Sequence, residues 1–335
     1  MSQGPETPLE EHSPVVIFVY KRPEYTLQLF ESLLKCPEFS RSKIYVFSDG
    51  AKNKEESKQV GKVREIVAKY TNNLDCRVVL RPTNLGLAES VIVGVSEVMR
   101  THPSAIVVED DLVVSKDFLR YMNWGLSAFR DDPRIFSMTA FSFPIDYFSI
   151  PTSYHHSVYL SPRCNSWSWA TWRDRWAKVD WEISDFDEFM NDINQRKGFR
   201  TIGWDLPRML RFQQSGGIDS WAIRFCYAHF KSSAYCVHPR STLVRNNGLN
   251  RSGTHSWRDR RFEHHSPFSP WREGEYDYLV EPNAEISDEI YRLFAGKNGP
   301  LQSRLRGVLS RSVVGRLLQN ILAFQRSRAR RRSHV

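Results

Sequence analysis

Four short apolar runs, each followed by a stretch with helical spacing, recur at intervals of roughly 30 residues between positions 14 and 129, and this alternation constrains the fold more than anything else in the chain. "SPVVIFVYKRP" (13–23) is a β-branched run stopped by Pro23, a buried strand by length and composition. "EYTLQLFESLLKC" (24–36) then repeats Leu27, Phe30, Leu33 and Leu34 on one helical face. "KIYVFSDG" (43–50), "DCRVVLRP" (75–82) and "SAIVVEDD" (104–111) read as further strands. "EESKQVGKVREIVAKY" (55–70), "GLAESVIVGVSEVMRT" (86–101) and the segment 117–129 read as further helices. The pattern predicts an α/β chain with a doubly wound, mostly parallel sheet flanked by helices, whose ligands sit beyond the carboxyl ends of the strands. Residues 20–22, 48–50, 81–86 and 109–111 fall there. After about residue 140 the alternation fades. Aromatic-rich loops and short helices fill 151–245, and "AYCVHPRSTLVRN" (234–246) has strand-like content.

Several function classes drop out at once. No GxGxxG fingerprint and no GxxxxGK[ST] loop occurs, which argues against a P-loop enzyme or a typical dehydrogenase. The net charge of +9 belongs to the last 40 residues: ten Lys and Arg lie between 297 and 332, and no acid follows Glu289. Removing those ten from the 47 bases leaves 37 against 38 acids, so no nucleic-acid-binding core is expected. Five cysteines form no CxxC pair, the pattern of a reduced, cytoplasmic chain without structural zinc. The opening "MSQGPETPLEEHSP" is polar and acidic, unlike a signal peptide, and "VVIFVY" is far too short to span a membrane.

The fourth strand runs straight into Glu109, Asp110 and Asp111. In an extended strand Glu109 and Asp111 would share one face and Asp110 take the other. Adjacent carboxylates beside buried valines are costly unless a cation or strong donors compensate them, and carboxylate oxygens suit Mg²⁺ or Mn²⁺. A strand-end turn with solvated acids is the plainer alternative.

Three later stretches could also carry chemistry. In "GLNRSGTHS" (248–256), His255 could add an imidazole to a metal shell. In "GGIDSWAIRFCYAHF" (216–230), Asp219 stands where a helix N-cap is expected, and it could also serve as a general base with a pKa raised by aromatic surroundings. In "CNSWSWATWRDRW" (164–176), followed by Trp181, half of the ten tryptophans fall within 15 residues. Trp172 and Trp176 are one helical turn apart and suggest core, whereas Trp167 and Trp169 fit either core or a platform for a sugar ring.

Together, "VVIFVYKRPEYT", "FSDGA", "NLGLAESV", "VVEDDLVVSKDF", "SWSWATW", "IDSWAIRF" and "STLVRNNGLNRSGTHS" resemble the GT-A glycosyltransferases. Within that group they are similar to the inverting N-acetylglucosaminyltransferase I-like enzymes and bacterial polysaccharide-biosynthesis sugar transferases. The resemblance covers roughly residues 14–257 and implies a Rossmann-like GT-A sheet with an aromatic-rich acceptor side. It places the family's DxD metal motif on Glu109, Asp110 and Asp111, with Asp111 as metal ligand and the other two on ribose or donor sugar. It implies base and phosphate contacts at Tyr20 and Arg22, a uracil-reading acid at Asp49, and Asn84 and Gly86 beside the nucleotide sugar. Asp219 matches the catalytic acid and His255 the late histidine, while Trp167, Trp169 and Trp221 fall on the acceptor side. Mn²⁺ or Mg²⁺ would be the cofactor. Two departures stand out. Asp219 is followed by Ser220 where relatives can carry two adjacent acids, and "SWSWATW" lacks the leading glycine of some relatives.

The expected organisation is a disordered lead-in (1–13), a nucleotide-sugar-binding half (14–140), an acceptor-binding and catalytic half of the same domain (141–295), and a helical tail (296–335). In the tail, Leu301, Leu305, Val308, Leu309, Ser312, Val313, Leu317, Ile321 and Phe324 follow helical spacing among arginines, before "RSRARRR". That pattern fits an anionic membrane surface as well as a helix docked on the protein. The chain thus reads as a metal-dependent transferase acting on a glycan or lipid-linked acceptor at the inner face of the cytoplasmic membrane. The alternatives are a sugar-phosphate nucleotidyltransferase and a non-enzymatic carbohydrate- or membrane-binding protein.

Overall fold

In the computed structural model, which describes residues 12–249, 262, 267–275 and 277–295, the four leading apolar runs are the strands Val15–Val19 (β1), Ile44–Ser48 (β2), Cys76–Leu80 (β3) and Ser104–Glu109 (β4). They lie parallel in the order β3-β2-β1-β4, with Ile17 beside Val46 on one side and Val108 on the other. β1, β2 and nearly all of β4 are buried on both faces, which is why they read as unbroken Val, Ile and Phe rather than as an alternation. The crossover helices are Pro23–Leu33 (α1), Lys54–Thr71 (α2), Leu87–Met99 (α3) and Phe118–Ala128 (α4). Leu29, Phe30, Val63, Val67, Phe118 and Met122 from α1, α2 and α4 share one core, while Val91, Val95 and Val98 of α3 pack with Phe18 and Phe47 in another. The result is a three-layer α/β arrangement.

The strand after β4 is short: Leu112–Val114 (β5) pairs only with Val244–Asn246 (β10), in a separate antiparallel ladder. Ile135–Thr139 (β6), Val158–Ser161 (β7), Trp169–Trp172 (β8) and Tyr235–Pro239 (β9) extend the main sheet to eight strands, in the order β3-β2-β1-β4-β8-β6-β9-β7. β8 enters antiparallel between β4 and β6, with Trp169 opposite Val107. One sheet therefore runs through both halves of the chain. The remaining helices are Arg173–Trp176 (α5), Phe186–Asn191 (α6), Ile193–Ile202 (α7), Leu206–Gln214 (α8), Trp221–Lys231 (α9) and Ala284–Ala295 (α10). α10 buries Ile286, Ile290 and Leu293 in the main core and lays Phe294 under the Arg163 guanidinium, 3.5 Å from the ring centre. No helix among the described residues is long and apolar enough to cross a membrane.

Two local expectations change. The fourth strand stops at Glu109, and Asp110 and Asp111 form a turn before β5. Three successive carboxylates cannot continue a strand buried on both faces, so the alternate-face arrangement gives way to a bend. Trp172 ends β8 and is not one helical turn from Trp176, because the ladder with β4 captures Trp-Ala-Thr-Trp first. Trp169 is 1% exposed and packs on Trp176, Trp221 and Phe225. Trp169→Ala should cost about 3–5 kcal/mol of stability, measured by urea denaturation.

Candidate functional site

The carboxyl ends of β1, β2 and β4 converge on the acidic turn. Pro23 occupies the first helical position of α1, and this fixes Arg22 at the bend between β1 and α1. From there Arg22 reaches the acids: Nη1 donates to Asp111 Oδ2 at 2.9 Å and lies 4.0 Å from Asp110 Oδ1. The Tyr20 backbone N–H donates to Asp110 Oδ2 at 3.0 Å. Burial, reinforced by repulsion from its two neighbours, pushes Glu109 up to about 8, although Arg22 and the Trp221 indole N–H favour its ionised form. Burial and repulsion from Asp111 push Asp110 up to about 7, and burial alone raises Asp111 against the pull of Arg22. Among the described residues one guanidinium thus faces three carboxylates, an arrangement that a divalent cation would complement.

The donor set suits such an ion in a particular way. Among the described residues, no three His, Cys, Asp or Glu side chains gather into a metal centre. Mg²⁺ and Mn²⁺ do not need one, because a carboxylate or two plus phosphate and water complete their shells. Room is kept beside Asp111 by Gly248, where an added Cβ would come within 3.0 Å of the carboxylate carbon. The β5/β10 ladder brings that segment in. The Asn247 N–H donates to the Asp111 carbonyl at 2.8 Å, and the Asn246 side chain supports the ionised form of Asp111. His255 lies outside the described residues.

Asp49 does something that its sequence context did not reveal. Its carboxylate accepts from the backbone N–H groups of Gly50, Leu85 and Gly86 at 3.0–3.1 Å, pinning the loop after β2 to the start of α3. Asn84 Nδ2 donates to the Gly50 carbonyl at 2.8 Å from the same loop. Two glycines permit this contact. A Cβ on Gly50 would sit 2.5 Å from the Thr83 carbonyl carbon, and Gly86 adopts φ +81°. Arg64 of α2 ties the strand ends together, donating from Nη2 to the Arg81 carbonyl at 2.7 Å and from Nε to Ser48 Oγ at 3.2 Å.

A second missed residue is Glu56, in the first turn of α2. Tyr20 donates its hydroxyl to one Glu56 oxygen and Lys21 its ammonium to the other. The Lys21 and Tyr20 bonds hold the Glu56 carboxyl down to about 2, while burial and Glu56 push Tyr20 up to about 12. Lys21 is thereby turned to Glu56, and Arg22 is left to face the acidic turn. Asn53-x-x-Glu56 is a capping-box spacing and marked the start of α2, but nothing local foretold the partner from β1.

The acceptor-side expectations divide. Ser220, not Asp219, is the N-cap of α9, accepting from the Ile223 N–H at 3.4 Å. Asp219 stands one residue outside the helix with its side chain 64% exposed, and Oδ1 accepts from Arg224 Nη2 at 2.7 Å. The aromatic enclosure expected around it is not present, because the rings of α9 turn inward on Trp169 and Trp176. Trp169 and Trp221 are 1% and 3% exposed, so neither offers a ring face for a sugar. Trp221 instead packs tilted against Trp169, with ring centres 4.7 Å apart, and turns its N–H to Glu109. Trp167 is only partly buried and packs edge-on against Phe141, with ring centres 4.8 Å apart.

A sequence model described as the GNT-I family matches residues 1–223. Among solved structures, the chain is similar to residues 1–349 of TarS from S. aureus, at 14% identity and TM-score 0.40, over 69% of this chain and 59% of that one. GalNAc-T7 with UDP, GalNAc and Mn²⁺ aligns at 12% identity and TM-score 0.43, over 69% and 43% of the two chains. The mannosyltransferase PcManGT from Pyrobaculum calidifontis, in complex with GDP-Man and Mn²⁺, aligns at 12% identity and TM-score 0.37, over 65% and 69%. The chain thus spans less than two thirds of the first two.

The Tyr20–Glu56–Lys21 clasp has a pH signature. A carboxyl depressed on folding contributes stability above its unfolded value near 4.5 and loses that contribution as pH falls toward 2. Glu56→Gln should therefore lower the melting temperature at pH 7 and flatten its fall between pH 5 and pH 2, as read by thermal melts across that range.

Proposed function

The chain belongs to the GNT-I family, and from that premise and the geometry of the acidic turn we propose that it is a divalent-metal-dependent glycosyltransferase. In this reading it moves a sugar from a nucleotide donor, UDP-linked, onto a hydroxyl of a glycan or lipid-linked oligosaccharide with inversion. One observation carries the reading: three successive carboxylates, Asp110 buried and Glu109 and Asp111 half-buried, at the end of a central parallel strand and faced by a single arginine among the described residues.

The donor half would work as follows. Tyr20, fixed by Glu56, and the pinned loop of Asp49, Asn84 and Gly86 would form the walls around base and sugar. Asp111, with Asp110 beside it, would hold Mn²⁺ or Mg²⁺, His255 being the remaining candidate ligand. When bound, the ion supplies Lewis-acid neutralisation of the departing diphosphate. Arg22 adds a fixed positive charge on the same side. As the anomeric carbon gains oxocarbenium character, an acceptor hydroxyl must lose its proton. Asp219 is the base in this reading: Arg224 orients it through Oδ1, and among the described residues Oδ2 has no partner. General-base help of this kind is worth about 10²–10⁴-fold.

A nucleotidyltransferase would want a glycine-rich, lysine-bearing loop after β1, and here that position reads Tyr-Lys-Arg-Pro with the lysine on Glu56. A purely carbohydrate-binding protein would not cleave a donor. The reading extends to work at the inner face of a cytoplasmic membrane. Its support is the basic amphipathic spacing of residues 301–324 and five cysteines that are all free thiols.

Mn²⁺ should raise the melting temperature of the wild-type chain by several degrees, and Asp111→Asn should abolish that shift. A screen of nucleotide sugars should find Mn²⁺-dependent donor hydrolysis; none with any donor would refute the reading. Asp219→Asn should keep donor affinity while transfer falls about 10²–10⁴-fold, and full transfer by that variant would remove Asp219 from the mechanism. Liposome sedimentation with anionic vesicles should lose the chain when residues 297–335 are deleted.

A further inference from the structure

The segment from α7 to α8 carries an imbalance of charge that the donor chemistry does not use. Between residues 193 and 215 stand Arg196, Lys197, Arg200, Arg208 and Arg211 against one acid, Asp205. Asp205 is already spent on Arg163, which it binds through both oxygens at 2.7 and 2.9 Å. None of the five bases makes an ion pair within 4.0 Å among the described residues. Of the six acids in the stretch just before them, 180–192, three have local partners, and Asp192 also lies within the field of Arg196. Asp180 accepts from Ser184, Asp185 from Tyr227 and Lys231, and Asp192 caps its own helix.

Two of the five cations are paired with aromatic rings. Arg200 lies over the Trp204 ring at 4.7 Å and Arg208 over Phe212 at 5.1 Å. Phe212 is 42% exposed and Ile193 56%, so the surface here offers apolar faces as well as charge. A guanidinium resting on an exposed ring keeps its outer donors free for an oxyanion, and the ring offers a flat face beside it.

This ridge is bonded directly to the segment that carries the candidate base. The Phe212 carbonyl accepts from the N–H groups of Gly217 at 2.8 Å and Ile218 at 3.3 Å, and the Gln213 side chain accepts from the Ser220 N–H at 2.7 Å. Asp219 lies between Ile218 and Ser220. We propose that the α7–α8 ridge of Arg200, Trp204, Arg208, Arg211 and Phe212 binds the acceptor, and that the acceptor is an anionic glycan bearing carboxylate or phosphate groups. The inference rests on the transferase reading for the word acceptor, but its binding chemistry stands on the ridge alone. Charge complementarity selects this occupant over a neutral sugar chain, and the bonds from Phe212 and Gln213 to the Asp219 loop select a substrate over a remote docking partner.

The test is fluorescence anisotropy of the full chain, without donor or metal, using a labelled oligogalacturonate and a neutral maltooligosaccharide of equal length. The wild type should bind the charged probe and not the neutral one. Arg200→Gln, Arg208→Gln and Arg211→Gln combined should weaken binding at least tenfold with an unchanged melting temperature. The single variants Arg208→Gln and Arg211→Gln, each expected to lose about threefold, keep the test valid should the triple variant unfold. Neutralising Arg326, Arg328, Arg330, Arg331 and Arg332 in the tail should leave probe affinity within twofold. The proposal is overturned if the ridge variants bind like wild type, or if the tail variant carries the loss. It is equally overturned if the ridge variants lose only sedimentation with phosphatidylglycerol vesicles, which would make the partner a membrane. Because the probe is read without donor, a chain that hydrolyses no nucleotide sugar sinks the transferase reading and leaves this one standing.

Discussion

The placing of three carboxylates at the end of a strand buried on both faces governs the rest of the molecule. β4 is flanked by β1 and β8 and covered above and below, so no water-filled side is available for acids that follow it. The chain answers with geometry. The strand breaks into a turn at Asp110, Arg22 is delivered from the neighbouring strand end, and a backbone N–H from Tyr20 reaches Asp110. Those donors leave the acids raised rather than comfortably ionised.

Around that turn the backbone is held by hydrogen bonds within the protein. Asp49 gathers three N–H groups, Arg64 gathers the carbonyl and hydroxyl ends of β3 and β2, and the Asn247 backbone N–H binds the carbonyl of Asp111. Such bonds matter because catalysis and binding depend on donors that do not have to reorganise. Glu56 adds a division of labour between adjacent residues. By holding Lys21 it leaves Arg22 as the cation facing the acids, although the two are neighbours in sequence.

How much of this could be read from the chain follows from the range of each interaction. The first half was legible because strand and helix periodicities are local, and because a parallel strand buried on both faces advertises itself as an unbroken β-branched run. Pro23 after Arg22 and the acids after Val108 were equally visible. The second half was not. β6, β7 and β8 are short, and β8 is a strand only because β4 and β6 accept it, so its tryptophans looked like a helix approach and a sugar platform. Glu56, Arg64 and Asn247 were hidden for the same reason: their partners lie 15 to over 130 residues away, and an isolated Glu, Arg or Asn carries no sign of them.

The two halves meet at one helix. Trp221 opens α9, turns its N–H to Glu109 and packs its ring, tilted, against Trp169, which is registered opposite Val107 of β4. Asp219 is two residues before Trp221 and fixed to the same helix through Arg224. The separation between the acidic turn and the start of α9, two residues beyond Asp219, is therefore set by a buried aromatic contact. Packing at native density tolerates little change in that spacing. A buried tryptophan pair that looked like a candidate sugar platform instead links the segment of Asp219 to the acidic turn.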